Sequence, residues 1–562
     1  MAATTPDLLA AARTWLAQDP DASTRAELEP IIAAAETGDT DAVAALDDRF
    51  STRLEFGTAG LRGELGAGSN RMNRVLVAQA AAGLAAYLVA RSADSATHES
   101  PSIVIGYDGR VNSRIFAEDT AELMAGAGVR AILLPRMLPT PVLAFAVRHL
   151  DVSAGVMVTA SHNPAADNGY KVYLGDLDHG SQIVPPMDGE IAAKILEVAA
   201  GSIVDLPRST EYELASESVV ESYVEATAAL GTSLPAPTFV YTAMHGVGWE
   251  TARAVFAAAG LGEPIVVAEQ IEPDATFPTV AFPNPEEPGA LDLAIAKAVE
   301  VGADLVIAND PDADRLAVAI PEAEGWRRLS GNEVGSLLGW LAAEGQLNGD
   351  DGNGVLAASI VSSPALREIA RKYNLDYVDT LTGFKWISRV GGIAYGYEEA
   401  LGYLVDPAKI RDKDGISAAV AFLGLVATLR AEGRTIVDHQ RAFDEKFGAY
   451  ASSQISLRVD DLAEIPALMT RFRANLPAEI GTIEVESIDD FREGFGGFPP
   501  SDILRIWLAG KARVIIRPSG TEPKLKVYID ASSTDGTAEN RRRLADATVA
   551  QLDAGMRALL TP

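Results

Sequence analysis

The sequence predicts an α/β protein of several domains, and three observations lead to that class. The chain has 562 residues, and at roughly 150 residues per domain it is long enough for about four domains. A short apolar strand, a polar loop and an Ala-rich helix recur along most of the chain, which is the order expected of parallel sheets covered by helices. The last part of the chain has a different order and predicts a smaller α+β domain.

The composition indicates a globular protein, because 48% of the residues are hydrophobic and 22% are charged. The absence of cysteine excludes a disulfide framework, thiolate zinc sites and a cysteine nucleophile, and it fits a cytoplasmic location. The N-terminus has no basic cluster before an apolar run, so we expect no secretory signal. The longest apolar runs, Ile416–Leu429 and Val75–Ala90, are shorter than the roughly 20 residues that span a bilayer, and they predict buried helices.

The net charge of −31 limits the classes of partner. A protein this acidic repels nucleic acid and anionic membranes unless it carries a basic stripe, and the sequence contains no such run. A phosphorylated small molecule would therefore need locally concentrated arginines, lysines, backbone N–H groups or a divalent cation.

The predicted elements begin with helices, which the sequence favours over residues 1–50. Helical spacing in Leu8–Ala17 and Arg25–Ala35 predicts a leading helical arm. Three pairs of strand-then-loop units follow and predict three related α/β domains. The predicted strands are Ser102–Tyr107, Val156–Val158, Phe239–Thr242, Asp304–Ala308, Gly354–Ser359 and Gly392–Tyr395.

The final segment predicts three strands and two helices, at Ile455–Val459, Arg513–Arg517, Leu525–Ile529, Pro466–Leu476 and Glu539–Leu560. Linker-like composition occurs at Asp205–Ser209, Pro321–Arg328 and Glu445–Ser452. We therefore predict domains at 1–207, 208–323, 324–447 and 448–562, with motifs suited to a phosphorylated ligand distributed over all four.

A serine loop provides the first candidate site. Thr159-Ala160-Ser161-His162-Asn163-Pro164 follows the strand-like run Ala154–Val158, and the Asn-Pro turn predicts that the strand ends there. Ser161 is expected on an exposed bend at the carboxyl edge of a sheet, where ligands bind in α/β proteins. The alternative is a hydroxyl that only closes a turn.

An aspartate-rich loop provides the second candidate site. Asp310, Asp312 and Asp314 alternate in Asp310-Pro311-Asp312-Ala313-Asp314-Arg315, so their oxygens can converge on Mg²⁺ or Ca²⁺. An EF-hand is excluded, because its sixth position would be Arg315 and its twelfth Pro321. A solvated acidic loop is the alternative.

Further motifs are suited to binding phosphate groups and sugar hydroxyls. Arg517-Pro518-Ser519-Gly520-Thr521-Glu522-Pro523-Lys524 combines a guanidinium, hydroxyls and a glycine turn, and Arg62 lies among the glycines of Phe56–Gly63. Glu398 and Glu399 could hold sugar hydroxyls. His245-Gly246-Val247-Gly248 imitates a dinucleotide fingerprint, but Thr251 replaces the third glycine, so nicotinamide binding is rejected.

Together, the motifs resemble those of the α-D-phosphohexomutase superfamily of phosphoglucomutases and phosphomannomutases. Thr159–Pro164, Asp310–Arg315, Glu398–Gly402 and Arg517–Thr521 occur in the family's order, and Phe56–Gly63 with Thr382–Trp386 is similar to the longer branch of bacterial phosphoglucomutases and phosphopentomutases. The resemblance implies three similar α/β domains with mixed sheets and a C-terminal α+β domain of TATA-binding-protein-like topology, around a central cleft.

The resemblance also implies the chemistry: a hexose 1-phosphate and a hexose 6-phosphate, with glucose as the sugar, exchange through a phosphorylated Ser161. It implies Mg²⁺ as the cofactor and a sugar 1,6-bisphosphate as the activator. The implied metal ligands are Asp310, Asp312, Asp314 and a phosphoserine oxygen. The implied catalytic residues are Ser161, His162, Arg315, Lys171 as general acid and Lys413 as general base. The implied substrate-binding residues are Arg62, Thr382, Gly383, Lys385, Glu398, Glu399, Arg517, Ser519, Gly520 and Thr521.

One departure from the family's motifs leaves the sugar substrate and the identity of the general base open. The family's sugar loop commonly reads Gly-Glu-x-Ser, whereas this chain has Tyr397-Glu398-Glu399-Ala400, without the serine hydroxyl. Phosphomannomutase and phosphopentomutase are therefore near alternatives, and a bisphosphate synthase is a remote one. A phosphatase with a serine–phosphate intermediate and a non-catalytic sugar-phosphate sensor are the other hypotheses. The sequence makes no prediction of oligomeric state.

Overall fold

A computed structural model describes residues 4–94, 100–347, 354–459, 464–519 and 524–560. The chain divides into two compact units. The first unit consists of Met1–Leu329 with Gly402–Ala427, and the second of Ser330–Leu401 with Thr428–Pro562.

The first α/β domain begins with a helical arm. Its helices are α1 Thr5–Gln18, α2 Ala22–Glu36, α3 Thr40–Phe50, α4 Arg74–Asp94, α5 Ser113–Gly126, α6 Thr140–His149 and α7 Met187–Ala199. Its strands are β1 Leu61–Glu64, β2 Ser102–Tyr107, β3 Arg130–Leu133, β4 Ala154–Val158, β5 Asp167–Leu174, β6 Ser181–Gln182 and β7 Glu213–Leu214. Leu8, Leu28 and Leu46 of the arm are buried in the core of this domain, which fixes the arm to it. The three helices of the arm lie within residues 1–50, the segment that the sequence predicts to be helical.

The second domain carries α8 Ser218–Ala228, α9 Gly248–Ala258, α10 Asp292–Val301, β8 Phe239–Thr242, β9 Ile265–Val266, β10 Leu305–Asn309, β11 Leu316–Glu322 and β12 Gly325–Arg328. The linker predicted at Pro321–Arg328 is wrong, because β11 and β12 pair there as an antiparallel hairpin. Polar and turn-forming residues suit an exposed hairpin at a sheet edge as well as a linker.

The next segment carries α11 Gly331–Ala343, α12 Ala365–Tyr373, α13 Phe384–Ile387, α14 Gly415–Ala431, α15 Ile436–Phe447, β13 Val355–Ser359, β14 Asp376–Thr380, β15 Ile393–Glu398 and β16 Gly402–Leu404. The apolar runs that predicted buried helices lie in α4 and α14, and most of their side chains are buried.

Three parallel cores share one topology. In each, the first strand is central, the second lies on one side and the third on the other: β3-β2-β4, β9-β8-β10 and β14-β13-β15. In the first two domains an antiparallel strand then extends the sheet beyond the third parallel strand. The prediction of three similar α/β domains with mixed sheets is confirmed.

The C-terminal domain is α+β, as predicted. Its elements are β17 Ala449–Arg458, α16 Glu464–Ala474, β18 Glu479–Ile480, β19 Ile483–Asp490, β20 Leu504–Leu508, β21 Ala512–Pro518, β22 Lys524–Ser533 and α17 Ala538–Leu560. They form an antiparallel sheet in the order β17-β22-β21-β20-β19-β18. Within the predicted linker Glu445–Ser452, α15 ends at Phe447 and β17 begins at Ala449. The strand β19 was missed because it is largely acidic.

Within the described ranges, the segment Arg74–Ala93 of α4 is long and apolar enough to cross a membrane by length and composition. Its most apolar window is 67% buried inside the protein, where α4 packs against α5 and α7. A buried core helix satisfies the same criteria.

Candidate active site

The candidate loops occupy equivalent positions in the three repeats. The Ser161 loop follows β4, the Asp310 loop follows β10, and Glu398 and Glu399 lie at the end of β15. Each loop therefore extends from the carboxyl end of the third parallel strand, the edge at which α/β sheets bind ligands. The first two loops belong to the first unit and the third to the second unit.

Ser161 is buried, with 2% of its surface exposed, so the exposed bend predicted for it is wrong. Its backbone is left-handed (φ 51°) and its N–H donates to Thr159 Oγ1 at 2.8 Å. This conformation turns the side chain inward, where the hydroxyl donates to Asp310 Oδ2 at 2.8 Å. Ser161 Oγ also lies 3.2 Å from His162 Nδ1.

The three aspartates form a compact oxygen cluster. Asp310, Asp312 and Asp314 are fully buried, and one ligand atom from each lies within 4.8 Å of the others. Among the described residues, Asp312 Oδ1 and Asp314 Oδ1 are buried without a hydrogen-bond partner. Orphaned buried carboxylate oxygens are costly unless a cation satisfies them, and hard oxygen ligands suit Mg²⁺. The residues therefore fit a magnesium ion.

Two buried lysines contact the same carboxylates. Lys171 Nζ lies 2.7 Å from Asp312 Oδ2 and 2.7 Å from Asp314 Oδ2, and Lys413 Nζ lies 2.8 Å from Asp314 Oδ2. Burial acts to raise the pKa of Asp314, but the two ammonium groups and the Arg315 guanidinium together outweigh it and lower that pKa. Burial and the neighbouring carboxylates raise the pKa of Asp310 well above its ordinary value.

Further positive charge surrounds the serine. Arg315 Nε lies 3.9 Å from Asp310 Oδ2, and Arg62 Nη1 donates to Asn163 Oδ1 at 3.2 Å. Burial, followed by the charges of Arg315 and Arg62, lowers the pKa of His162 well below its ordinary value, which keeps the ring neutral. Guanidinium and ammonium groups beside a hydroxyl are suited to binding a tetrahedral dianion such as a phosphate group.

In the second unit, Glu399 is held by two serines that sequence reasoning missed. Ser359 Oγ and Ser362 Oγ each donate to Glu399 Oε2 at 2.9 Å, and the Glu399 N–H donates to Ser362 Oγ at 3.1 Å. Glu398 is half-buried beside it. The two serine hydroxyls fix the orientation of the Glu399 carboxylate, and the backbone bond holds Ser362 beside it.

Two other predicted binding segments of the second unit lie at element ends. Thr382, Gly383 and Lys385 lie at the start of α13, where Gly383 has φ 106°, a conformation that favours glycine. Arg517 lies near the end of β21 with Nη1 3.4 Å from the Tyr528 hydroxyl, and the Ser519 N–H donates to the Lys524 carbonyl at 2.8 Å. Gly520 and Thr521 lie outside the described residues.

Sequence reasoning also missed two residues around the serine–aspartate cluster. Thr140 Oγ1 donates to Asp312 Oδ2 at 2.6 Å from the first turn of α6, where a Pro-Thr-Pro helix start was the available signal. Arg110, in the Asp-Gly-Arg loop after β2, donates to backbone carbonyls of the Ser161 loop.

The arrangement in the first unit is typical of one class of protein. A hydroxyl that can accept a phosphoryl group, a carboxylate set that fits Mg²⁺ and several cationic side chains are the components of phosphoryl-transfer enzymes. Such sites act through positioning and charge stabilisation.

Comparison with known families identifies the kind of phosphoryl-transfer enzyme. Four models of the phosphoglucomutase/phosphomannomutase family match the chain in order: α/β/α domain I at residues 53–201, domain II at 220–325, domain III at 330–444 and the C-terminal domain at 455–547. The chain therefore belongs to this family, within the α-D-phosphohexomutase superfamily, and the resemblance inferred from the motifs is confirmed. Its enzyme class is a phosphotransferase-type isomerase, and the family is magnesium-dependent.

Relatives carry different substrate names. The chain is 56% identical to a Haemophilus influenzae protein named "Probable phosphomannomutase", over 87% of this chain and 98% of the relative. It is 34% identical to a Mus musculus phosphopentomutase, over 93% and 90% of the two chains. A crystal structure of a phosphoglucomutase/phosphomannomutase family protein from Burkholderia thailandensis has the same fold, with a TM-score of 0.68, 19% identity and coverage of 91% and 97%.

Proposed function

We propose that the enzyme interconverts a hexose 1-phosphate and a hexose 6-phosphate, with glucose as its sugar. The observation that carries this proposal is the buried contact between Ser161 Oγ and Asp310 Oδ2, beside carboxylate oxygens that have no hydrogen-bond partner among the described residues. A hydroxyl placed beside a magnesium-binding cluster is suited to carry a phosphoryl group.

The proposed reaction has two half-reactions that use the same serine. Phosphorylated Ser161 donates its phosphoryl group to the sugar monophosphate, which becomes a bisphosphate. The bisphosphate reorients and returns its other phosphoryl group to Ser161. Asp310, Asp312, Asp314 and a phosphoserine oxygen would hold Mg²⁺, which when bound neutralises charge on the transferring group.

The cationic residues have separate proposed roles. Lys171 is the general acid and Lys413 the general base, while His162 and Arg315 lie beside the transferred phosphoryl group. A lysine acts as a base only as the neutral amine, and contact with Asp314 favours the ammonium form. Lys413 would therefore serve as the base only once a bound cation has taken over the charge of that carboxylate. Lys171 and Lys413 also neutralise Asp312 and Asp314, which keeps buried negative charge from repelling the substrate.

The remaining predicted residues bind the substrate. Arg62, Thr382, Gly383, Lys385, Glu398 and Glu399 would contact the sugar phosphate, and Arg517, Ser519, Gly520 and Thr521 would hold the phosphate that is not transferred. Release of the bisphosphate leaves Ser161 without its phosphoryl group. A sugar 1,6-bisphosphate therefore acts as the activator, because it reloads the serine.

Pentose phosphate is the second candidate substrate. Ala400 stands where the family commonly has a sugar-contacting serine, so one contact expected for a hexose is missing. The Mus musculus phosphopentomutase matches nearly the whole chain, whereas the Haemophilus influenzae relative, at higher identity, carries a phosphomannomutase name.

The test is the kcat/KM ratio for glucose, mannose and ribose 1-phosphates, measured with Mg²⁺ and the matching bisphosphate. Glucose 1-phosphate is expected to give the highest kcat/KM. A higher kcat/KM for ribose or mannose 1-phosphate would show that this sugar, and not glucose, is the preferred substrate. Release of inorganic phosphate at the rate of turnover would indicate a phosphatase. Binding without turnover of any of the three would indicate a sensor.

A further inference from the structure

The three α/β repeats share a second feature: the loop after the central strand contacts the candidate loop after the third strand. In the second domain, the Val247 N–H donates to the Pro311 carbonyl at 2.8 Å, so the loop after β8 supports the aspartate loop. In the third, Ser362 of the loop after β13 donates to Glu399 at 2.9 Å. The central-strand loop is therefore placed to support the loop that carries the predicted chemistry.

In the first domain this support is a single guanidinium. Arg110 is 5% exposed and follows β2. Its Nη1 donates to the carbonyls of Pro164 at 2.8 Å and Asp167 at 3.0 Å, and its Nη2 donates to the carbonyls of Ser161 at 2.6 Å and Asn163 at 2.6 Å. One side chain thus binds the backbone on both sides of the Asn-Pro turn.

The guanidinium is itself fixed in place. Asp108 Oδ2 lies 3.5 Å from Arg110 Nε, and Asp108 Oδ1 accepts from the Arg110 N–H at 3.0 Å and from Ser113 Oγ at 2.6 Å. The Phe277 ring lies against the guanidinium, with its centroid 4.9 Å away. These contacts leave the guanidinium little freedom to follow a displaced loop.

The serine loop needs such support. A non-glycine residue with a left-handed backbone is disfavoured, and Ser161 adopts that conformation at φ 51°. The four carbonyls that accept from Arg110 would otherwise require other donors in a buried region. A lysine has three donors at one point, so it cannot reproduce the planar fork that binds four carbonyls.

We propose that Arg110 is the positioning residue of the nucleophile loop: it holds the backbone at Ser161 so that the hydroxyl points at Asp310. This inference rests on the proposed function only in that Ser161 is taken as the residue that carries the phosphoryl group. Arg110 binds the serine loop through backbone carbonyls, so its effect is on the placement of Ser161.

The experiment compares R110Q and R110K with a matched control, R74Q. Arg74 also forms a partly buried bidentate pair in the first domain, with Asp119 at 2.7 and 2.8 Å, and that pair lies on α4 and α5 rather than on the serine loop. Two readouts are taken on each full-length variant: amide hydrogen exchange of the peptide covering residues 160–167, and kcat and KM for glucose 1-phosphate.

In R110Q, we expect faster exchange in residues 160–167 and a fall in kcat of about 100-fold, the size of effect expected when a reacting group is misplaced by about an ångström. The KM should stay within about threefold, because the terminal N–H groups of Arg110 are already bound to backbone carbonyls of the serine loop. R110K should fall between R110Q and the wild type. In a further variant, R110A, which removes the whole guanidinium side chain, millimolar guanidinium should restore part of the turnover. R74Q should show neither change.

Wild-type exchange and turnover in R110Q would overturn the proposal, and if R110Q does not fold, the same result in R110K would overturn it. A wild-type enzyme without mutase turnover would instead overturn the proposed function. Faster exchange of residues 160–167 in R110Q would in that case still support the positioning role of Arg110.

Discussion

Lys413 Nζ lies 2.8 Å from Asp314 Oδ2, although 99 residues separate the two along the chain. The contact forms because the segment Gly402–Ala427 belongs to the first unit, where the Gly415 N–H donates to the Ala313 carbonyl at 3.2 Å. A lysine from a distant segment is thereby fixed beside the aspartate loop and becomes part of the buried cluster of charged groups near Ser161.

Replacing Ser161 with alanine should abolish mutase turnover, by on the order of 10³-fold or more, because the group that carries phosphate is removed. Binding of glucose 1-phosphate should be largely kept, since the cationic residues remain. Turnover is measured by a coupled assay and binding by calorimetry. The matched control is S153A, another buried serine of the first domain, which should turn over normally. Wild-type turnover in S161A would remove the serine from the mechanism.

Replacing Asp312 with asparagine should abolish the stabilisation that Mg²⁺ confers, because an amide oxygen carries no charge for the ion. Wild-type protein with Mg²⁺ at 100 times its dissociation constant should gain about 2.7 kcal/mol of stability, seen as a higher melting temperature that a chelator reverses. The control D178N removes a buried carboxylate that pairs with Arg91, and it should keep the Mg²⁺-dependent shift. An equal shift in D312N would exclude the aspartate cluster as the metal site.

Replacing Arg517 with glutamine should raise the KM for glucose 1-phosphate by roughly 10- to 100-fold, the equivalent of one or two charge-assisted hydrogen bonds. More free bisphosphate should also be released per turnover, because the phosphate that is not transferred is held less tightly. Steady-state kinetics and detection of the released bisphosphate measure both effects. The control R473Q disrupts an ion pair with Asp490 and Asp502 in the same domain. Unchanged kinetics in R517Q would contradict the assignment.

Replacing Ala400 with serine should raise kcat/KM for glucose 1-phosphate relative to ribose 1-phosphate by roughly 5- to 10-fold, the value of about one added hydrogen bond. The reason is that the hydroxyl common in the family's sugar loop is restored. The control A394S adds a hydroxyl to β15, outside the sugar loop, and should leave the ratio unchanged. A lower ratio in A400S would show that Ala400 does not limit hexose binding.

The buried His439 should make the second unit sensitive to acid. Its ring stacks on Trp340 with centroids 4.4 Å apart, and both ring nitrogens lack a hydrogen-bond partner among the described residues. Burial lowers the pKa of His439 to about 4 from an ordinary value of 6.5. Because the unfolded chain binds the proton more tightly, stability is complete above pH 6.5 and is lost as the pH falls toward 4.

The loss between pH 7 and pH 5 should be about 2 kcal/mol, measured as a shift in the urea midpoint. H439F, which keeps a planar ring against Trp340, should lose less over the same range. H149Q changes an exposed histidine of the first unit and should behave like the wild type. Equal acid sensitivity in the wild type and H439F would rule out His439 as the cause.

The sequence allowed the fold class and most of the candidate loops to be predicted, because each loop carries its chemical groups within a few residues. Asp310, Asp312 and Asp314 could be recognised from their spacing alone. What the sequence could not show was the burial of Ser161, which depends on its backbone conformation. The role of Arg110 was also hidden, since its partners lie 51 to 57 residues away and are brought near only by the order of the strands.

The division of the chain has a consequence for its synthesis. The polypeptide leaves the first unit after Leu329 and re-enters it at Gly402, so that unit is incomplete until residue 427 has emerged from the ribosome. A shortened protein ending at Leu329 would lack Lys413 and would leave the Ala313 carbonyl without its Gly415 donor. The nascent chain must therefore extend through most of an additional domain before the first unit can be completed.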